Sequence, residues 1–144
     1  MLLSGILHDM GKAQIQFEKG YFYTRRQIHE SLGGDEQSYL PMKSGKVVCA
    51  CLRKDLNPDA PRIICCGSLG KVMQAGEMLD SQKEPIPVFI RSQANEWEYV
   101  GMYSVDRVST NPEELQQRSV EGELPLSRII YMKPHGEVFK EHIA

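Results

Sequence analysis

The segment EWEYVGMYSVDRV, residues 96 to 108, constrains the fold more than any other part of the chain. Trp97, Tyr99, Gly101, Tyr103 and Val105 share one register of an extended backbone. Glu98, Val100, Met102 and Ser104 share the other. Side chains of a strand point to alternate faces, so this period of two predicts one long strand. A strand of that length needs partners on its edges and cover on at least one face, which places a sheet at the centre of the molecule.

The neighbouring segments supply the partners. Pro85 and Pro87 bracket the entry to VFIR (88–91), so that strand begins at a sheet edge, and SQAN then makes a hairpin turn into the long strand. KVVCACLR (46–53) reads as a buried strand, IICCG (63–67) as a short apolar one and SRIIYMK (127–133) as the last. KDLNPDAPR (54–62) is turn-rich, because Asn57-Pro58 and Ala60-Pro61 both oppose helix.

Helices fall between these strands. TRRQIHESLGG offers Thr24 as a cap, Gln27 at the capping-box position and Gly33-Gly34 as a stop, with Ile28 and Leu32 on its apolar side. SLGKVMQAGEMLDSQ (68–82) has helical spacing, with an apolar face of Leu69, Val72, Met73, Ala75 or Gly76, and Leu79. PEELQQR starts on Pro112 behind Thr110 or Asn111. Leu3, Ile6, Leu7, Met10, Ile15 and Phe17 predict a helix over residues 2 to 18, ended by Gly20. The expected fold is α+β, a curved and mostly antiparallel sheet or open barrel with flanking helices. It forms one domain over 1–144: a helical segment over 1–20, an α+β core over 21–133 and a frayed tail over 134–144.

A chain of 144 residues can bury a core of its own without staples. Its net charge of −2 argues against a purely electrostatic nucleic-acid binder, but not against a local basic cleft. No apolar run is long enough to span a membrane, and the N-terminal residues lack the basic region and cleavage site of a secretory signal. Cys49, Cys51, Cys65 and Cys66 sit in apolar, β-branched stretches. They are read as buried hydrophobes of a reduced, cytoplasmic chain, not as zinc ligands. No metal and no cofactor is expected.

Two short motifs raise catalytic questions. LSGILHDMGK (3–12) contains His8-Asp9 and Gly11-Lys12, which resemble the signature of the HD metal-dependent phosphohydrolases. That resemblance implies further His and Asp ligands and a largely helical fold. No His or Asp precedes His8, and His29, His135 and His142 stand in no HD context. The ligand set is therefore too small to activate water, and the motif reads as part of an amphipathic helix. GSLGK (67–71) spaces its glycines too closely for a phosphate loop and has Val72 where Ser or Thr belongs, so it reads as a tight strand-to-helix turn.

Polar and aromatic residues concentrate at three turns. Gln37, Ser38 and Tyr39 lie between a helix stop and a strand; Asn57 and Asp59 lie in the turn-rich connection; Arg91, Asn95 and Trp97 flank the hairpin. Amides and hydroxyls read base edges, aromatic faces stack on bases, and Arg25, Arg26 and Lys43 supply phosphate contacts nearby. Lys46, Arg53, Lys54 and Arg62 could add to them. Turns also hold such residues for backbone reasons, and Trp97 and Tyr99 alternate as core residues do.

RRQIHESLGGDEQSYLP, CLRKDLNPDAP and VFIRSQANEWEYVGMYSV together resemble a small bacterial domain of unassigned function found near HNH nuclease modules. The F-x-R…N-x-W-x-Y-x-G-x-Y-x-V run is also similar to strands of the SRA, EVE and PUA-like modified-base readers. The resemblance implies a curved sheet or open barrel. It also implies a pocket that holds a flipped or modified nucleotide against Gln37, Ser38, Tyr39, Asn57, Asp59, Arg91, Asn95 and Trp97. The expected function is a non-catalytic module that binds DNA, with modified DNA, as in restriction, a candidate target, and recruits a nuclease partner or domain. The alternatives are a protein-interaction module pairing through strand edges near Pro85–Pro87 and, less favoured, an HD-type hydrolase.

Overall fold

A computed structural model of the protein describes residues 16–136. In chain order the elements are β1 (Phe22–Tyr23), α1 (Arg25–Leu32), β2 (Met42–Lys43), β3 (Lys46–Val47), β4 (Ala50–Leu52) and β5 (Ile63–Gly67). There follow α2 (Gly70–Asp80), β6 (Ile86–Gln93), β7 (Glu96–Ser109), α3 (Pro112–Arg118) and β8 (Leu126–Pro134).

The long alternating segment is β7, and it organises the sheet. One edge pairs with β6, from Gln93↔Glu96 to Ile86↔Tyr103. The other edge pairs first with β1 at Trp97 and Glu98, then with β8 from Tyr103 to Ser109. The spatial order is β4-β6-β7-β8-β5. All these pairs are antiparallel except β4 with β6. β4 reaches only Val88–Ile90, so Pro87, which has no N–H to donate, falls in a part of β6 that β4 leaves uncovered.

β7 does not keep one face throughout. Val88 pairs with Gly101 and Phe89 with Tyr99, which leaves Val100 unpaired in a bulge. Gly101 has φ of 118°, where side chains are rarely tolerated. A bulge adds one residue to one strand and shifts the residues beyond it to the other face. Trp97 and Tyr99 accordingly pack with Ile28, Cys49, Cys51 and Phe89, whereas Tyr103 packs with Ile64, Val88, Ile130 and Met132. The expectation that Trp97, Tyr99, Tyr103 and Val105 share one face is thus corrected. A second irregularity at Asp106, between Val105 and Arg107, bends the strand again.

The sheet is packed on both sides. The larger cluster takes residues from every strand from β3 to β8, and α2 closes it with Ala75 and Leu79. The smaller cluster lies beneath α1, where Phe17 meets Phe89 with ring centroids 5.0 Å apart. Ala50 and Leu52 of one end strand and Ile64 and Cys66 of the other share the larger cluster. The sheet therefore curls about one core without closing into a barrel, as β4 and β5 do not pair.

The capping-box reading of α1 agrees with the geometry. Thr24 Oγ1 accepts from Gln27 N at 3.1 Å and Gln27 Oε1 accepts from Thr24 N at 2.9 Å. Asn111 caps α3 by accepting from Glu113 N and Glu114 N. Three local expectations change. KVVCACLR is two short strands, because Val48 and Cys49 break the ladder between β3 and β4. Ser44 and Gly45, both at positive φ, turn β2 into β3 as a small hairpin, which the sequence marks only by a Ser-Gly dipeptide. Residues 16–18 are not helical, and the remainder of the expected N-terminal helix lies outside the described residues, as does the tail beyond 136. No helix among the described residues is long and apolar enough to cross a membrane.

Candidate ligand cleft

A cleft of about 910 Å³ opens where the curled sheet fails to close. Cys51 of β4 and Arg53 just after it line one end; Cys65 and Gly67 of β5 line the other. Between them stand four further pieces: the loop after α1, the hairpin joining β6 to β7, the start of α2, and the segment from Arg118 to Leu126 that leads from α3 into β8. Segment 53–62 connects the two end strands, and Asn57 secures it by accepting from Cys65 N at 2.7 Å.

The wall formed by the loop after α1 is held by polar bonds. Arg25 is buried, and its Nε donates to His29 Nε2 at 2.8 Å. Its Nη2 donates to Ser38 O at 2.9 Å and Asp35 O at 3.3 Å, and the guanidinium lies 5.0 Å over the Trp97 ring. His29 Nδ1–H donates to Gly33 O at 2.8 Å, which leaves Nε2 as the acceptor for Arg25. Asp35 Oδ1 accepts from Gln37 N and Ser38 N, and its Oδ2 from the Ser38 hydroxyl. Burial opposes the Asp35 charge, yet those bonds and the nearby Arg25 hold its carboxyl below the ordinary value. Asn95 Oδ1 accepts from Arg25 N at 3.0 Å, which ties the β6–β7 turn to α1.

The opposite wall is apolar. Leu69, Val72, Leu56 and Leu124 are exposed large side chains, and all four line the cleft. The helical pattern assigns Leu69 and Val72 to the core face, and the structure corrects this. Only Ala75, Gly76 and Leu79 of that face are buried, because α2 meets β5 closely at Gly76. A Cβ there would stand 2.9 Å from Cys66 Cβ. That tight crossing leaves the first turn of α2 overhanging the opening. Tyr39 bridges the walls, its hydroxyl donating to Val72 O at 2.7 Å, and burial pushes its phenol well above the ordinary value.

Five cationic residues line the cleft (Arg25, Arg53, Lys71, Arg91 and Arg118) against three carboxylates, Asp35, Glu36 and Glu123. Arg53 pairs with Asp55 at 2.5 Å and Arg118 with Asp59 at 2.7 Å. Among the described residues no carboxylate pairs with Arg91 or Lys71. Trp97 Nε1 is buried and has no hydrogen-bond partner among the described residues.

Arg25, Gln37, Ser38, Tyr39, Asn57, Arg91, Asn95 and Trp97, all singled out in the sequence, therefore meet in one cleft. Arg26 and Lys43 are exposed and stand outside it, and Asp59 reaches it only through Arg118. Arg25 and Asn57 are committed to the protein's own backbone, and the Ser38 hydroxyl to the Asp35 carboxylate. Lys71 is visible in the sequence only within GSLGK, which reads as a turn, and Gln74, Arg118 and the apolar residues of α2 carry no sequence signal of a place in the cleft, since nothing in a helical pattern marks a face that overhangs one.

His8 and Asp9 lie outside the described residues. Among the described residues no three His, Cys, Asp or Glu side chains are placed to hold a metal ion. A scan against protein-family models matches residues 22–123 to a domain of unknown function, DUF6697. The chain belongs to the DUF6697 family. The stretch matched to DUF6697 runs from β1 through α3 and includes both walls of the cleft up to Glu123. Strand β8, which joins β7 to β5, comes after it in the chain. A search of the curated proteins and a search of the solved structures each found no match to this DUF6697 chain.

Proposed function

We propose that this DUF6697 domain is a non-catalytic nucleic-acid-binding module that seats part of a DNA strand in the cleft. The observation that carries the reading is the placement of Arg91 and Lys71. These two cations, without carboxylate partners among the described residues, stand in the cleft of a chain of net charge −2. Phosphate contacts dominate nucleic-acid affinity and need cations not already neutralised by the protein. Gln37 and Gln74 bring amide groups to the same space, and Leu69, Val72 and Leu124 offer an apolar surface to a base. A volume of about 910 Å³ is in the range of sites that enclose a small ligand. In this reading the module senses or recruits, base modification is read inside the cleft, and cutting belongs to a nuclease partner.

Fluorescence anisotropy with labelled single-stranded and duplex DNA, unmodified and carrying modified cytosine, tests the reading across a salt series. Binding should weaken steeply with salt, and the paired substitution R91A/K71A should lower the slope by about two phosphate contacts. Absence of binding at low salt, or binding indifferent to R91A/K71A, rejects it.

A further inference from the structure

Beneath the cleft lies a second chemical feature, independent of what the cleft holds. Cys49 and Cys51 are two residues apart with Ala50 between them, so their side chains leave the chain on the same side. Their sulfurs are 3.9 Å apart, and both belong to the smaller core cluster. Cys49 falls in the break between β3 and β4, outside either ladder, so its backbone is not fixed by strand pairing. Cys51, 3% exposed, lines the cleft, and Cys49 does not. Cys65 and Cys66, in contrast, are adjacent in a strand and point to opposite faces.

We propose that Cys49 and Cys51 form a reversible thiol–disulfide pair at the floor of the cleft, oxidised by a peroxide that enters through it. Cys51 is the attacking sulfur. Burial opposes its charge, but the Cys49 sulfur beside it and the nearby Arg25 guanidinium hold its thiol below the ordinary value. The Cys49 thiol is held well above its ordinary value by that same contact and by burial. The Cys51 thiolate attacks one oxygen of the peroxide, the O–O bond breaks, and the alkoxide or hydroxide leaves and takes up a proton. Cys51 then carries a sulfenic acid. The Cys49 sulfur attacks it, the S–O bond breaks, and hydroxide leaves with the Cys49 proton as water. Two electrons have passed from the pair of thiols to the peroxide, and an external dithiol returns them. Closing the bond draws the sulfurs from 3.9 Å to about 2.05 Å. That motion pulls on Cys51 N, which donates to Tyr39 O at 2.8 Å, so the redox state is felt at the cleft wall.

The test is limited hydrogen peroxide on the folded chain, followed by intact mass and peptide mapping. A loss of two hydrogens mapped to the peptide holding Cys49 and Cys51, restored by dithiothreitol, is the expected result, with Cys51 reacting at least about tenfold faster than Cys65. Burial raises the Cys65 thiol, and it lines the same cleft, so it is the internal control. In C49S the sulfenic acid on Cys51 should persist and be trapped by dimedone. First oxidation at Cys65 or Cys66, or reaction of the pair only after unfolding by urea, overturns the proposal. The wild-type mapping decides even if C49S fails to fold.

Discussion

The two walls of the cleft are built by opposite means. The loop wall, Asp35 to Tyr39, consumes its polar groups: Asp35 gathers the turn, and Arg25 grips Asp35 O and Ser38 O while His29 steadies it. The helix wall, from Leu69 to Val72 with Leu124 beside it, leaves apolar side chains open to solvent. The first wall is pre-organised and has few groups left to offer. The second is loosely covered and has surface to offer. Polarity alone is therefore a poor guide to which residues of this cleft are available to a ligand.

Four substitutions sharpen or break that contrast. Arg25→Ala should cost most, about 3 kcal/mol, since it orphans buried acceptors on His29 and two carbonyls. Urea denaturation showing a loss below about 1 kcal/mol would mean the loop wall is held by something else. Gly76→Ala probes the anchor of the other wall. Its Cβ must displace Cys66, and overpacking there should cost about 2 kcal/mol in the same measurement. An unchanged midpoint would show that α2 can lift off β5.

Asp35→Asn should cost about 1 kcal/mol, comparable to the loss of a capping side chain. It also carries a pH signature. The folded carboxyl is held below the ordinary value of 3.8, so its contribution is fully present above that pH and is lost as pH falls through the lowered folded value. The gap between wild type and D35N, tracked from neutral pH downward, should hold steady and then vanish in acid. A gap that widens in acid reverses the assignment. Leu69→Ser should have the least effect, within about 0.5 kcal/mol, because the side chain is 58% exposed. A larger loss in thermal unfolding would place Leu69 in the core after all.

Much of the fold is legible in the sequence, for reasons that particular residues show. α1 is readable because Thr24 and Gln27 satisfy backbone groups locally, and β7 because its alternation runs from Trp97 to Val105. The bulge at Val100 is not, since it depends on how β6 registers opposite Gly101. The hairpin at Ser44-Gly45 is hidden because Ser is a weak marker of the first left-handed position. For the cleft, the three turns are legible as places where polar groups gather. That they meet is not, because it depends on a sheet whose end strands curl toward each other. Leu69 and Val72 read as core because helical periodicity records a stripe, not how far along it the neighbour extends.

The first and last strands of the sheet in space, β4 and β5, are consecutive in sequence. Segment 53–62 is therefore a covalent strap across the aperture, and the Asn57 bond to Cys65 is its buckle. Sheet edges elsewhere are free to spread; these two are tethered at one end. Chain length in the strap thus becomes a dimension of the opening. Residues inserted between Leu52 and Asn57 would let out the strap while leaving every strand of the sheet with the partners it has now.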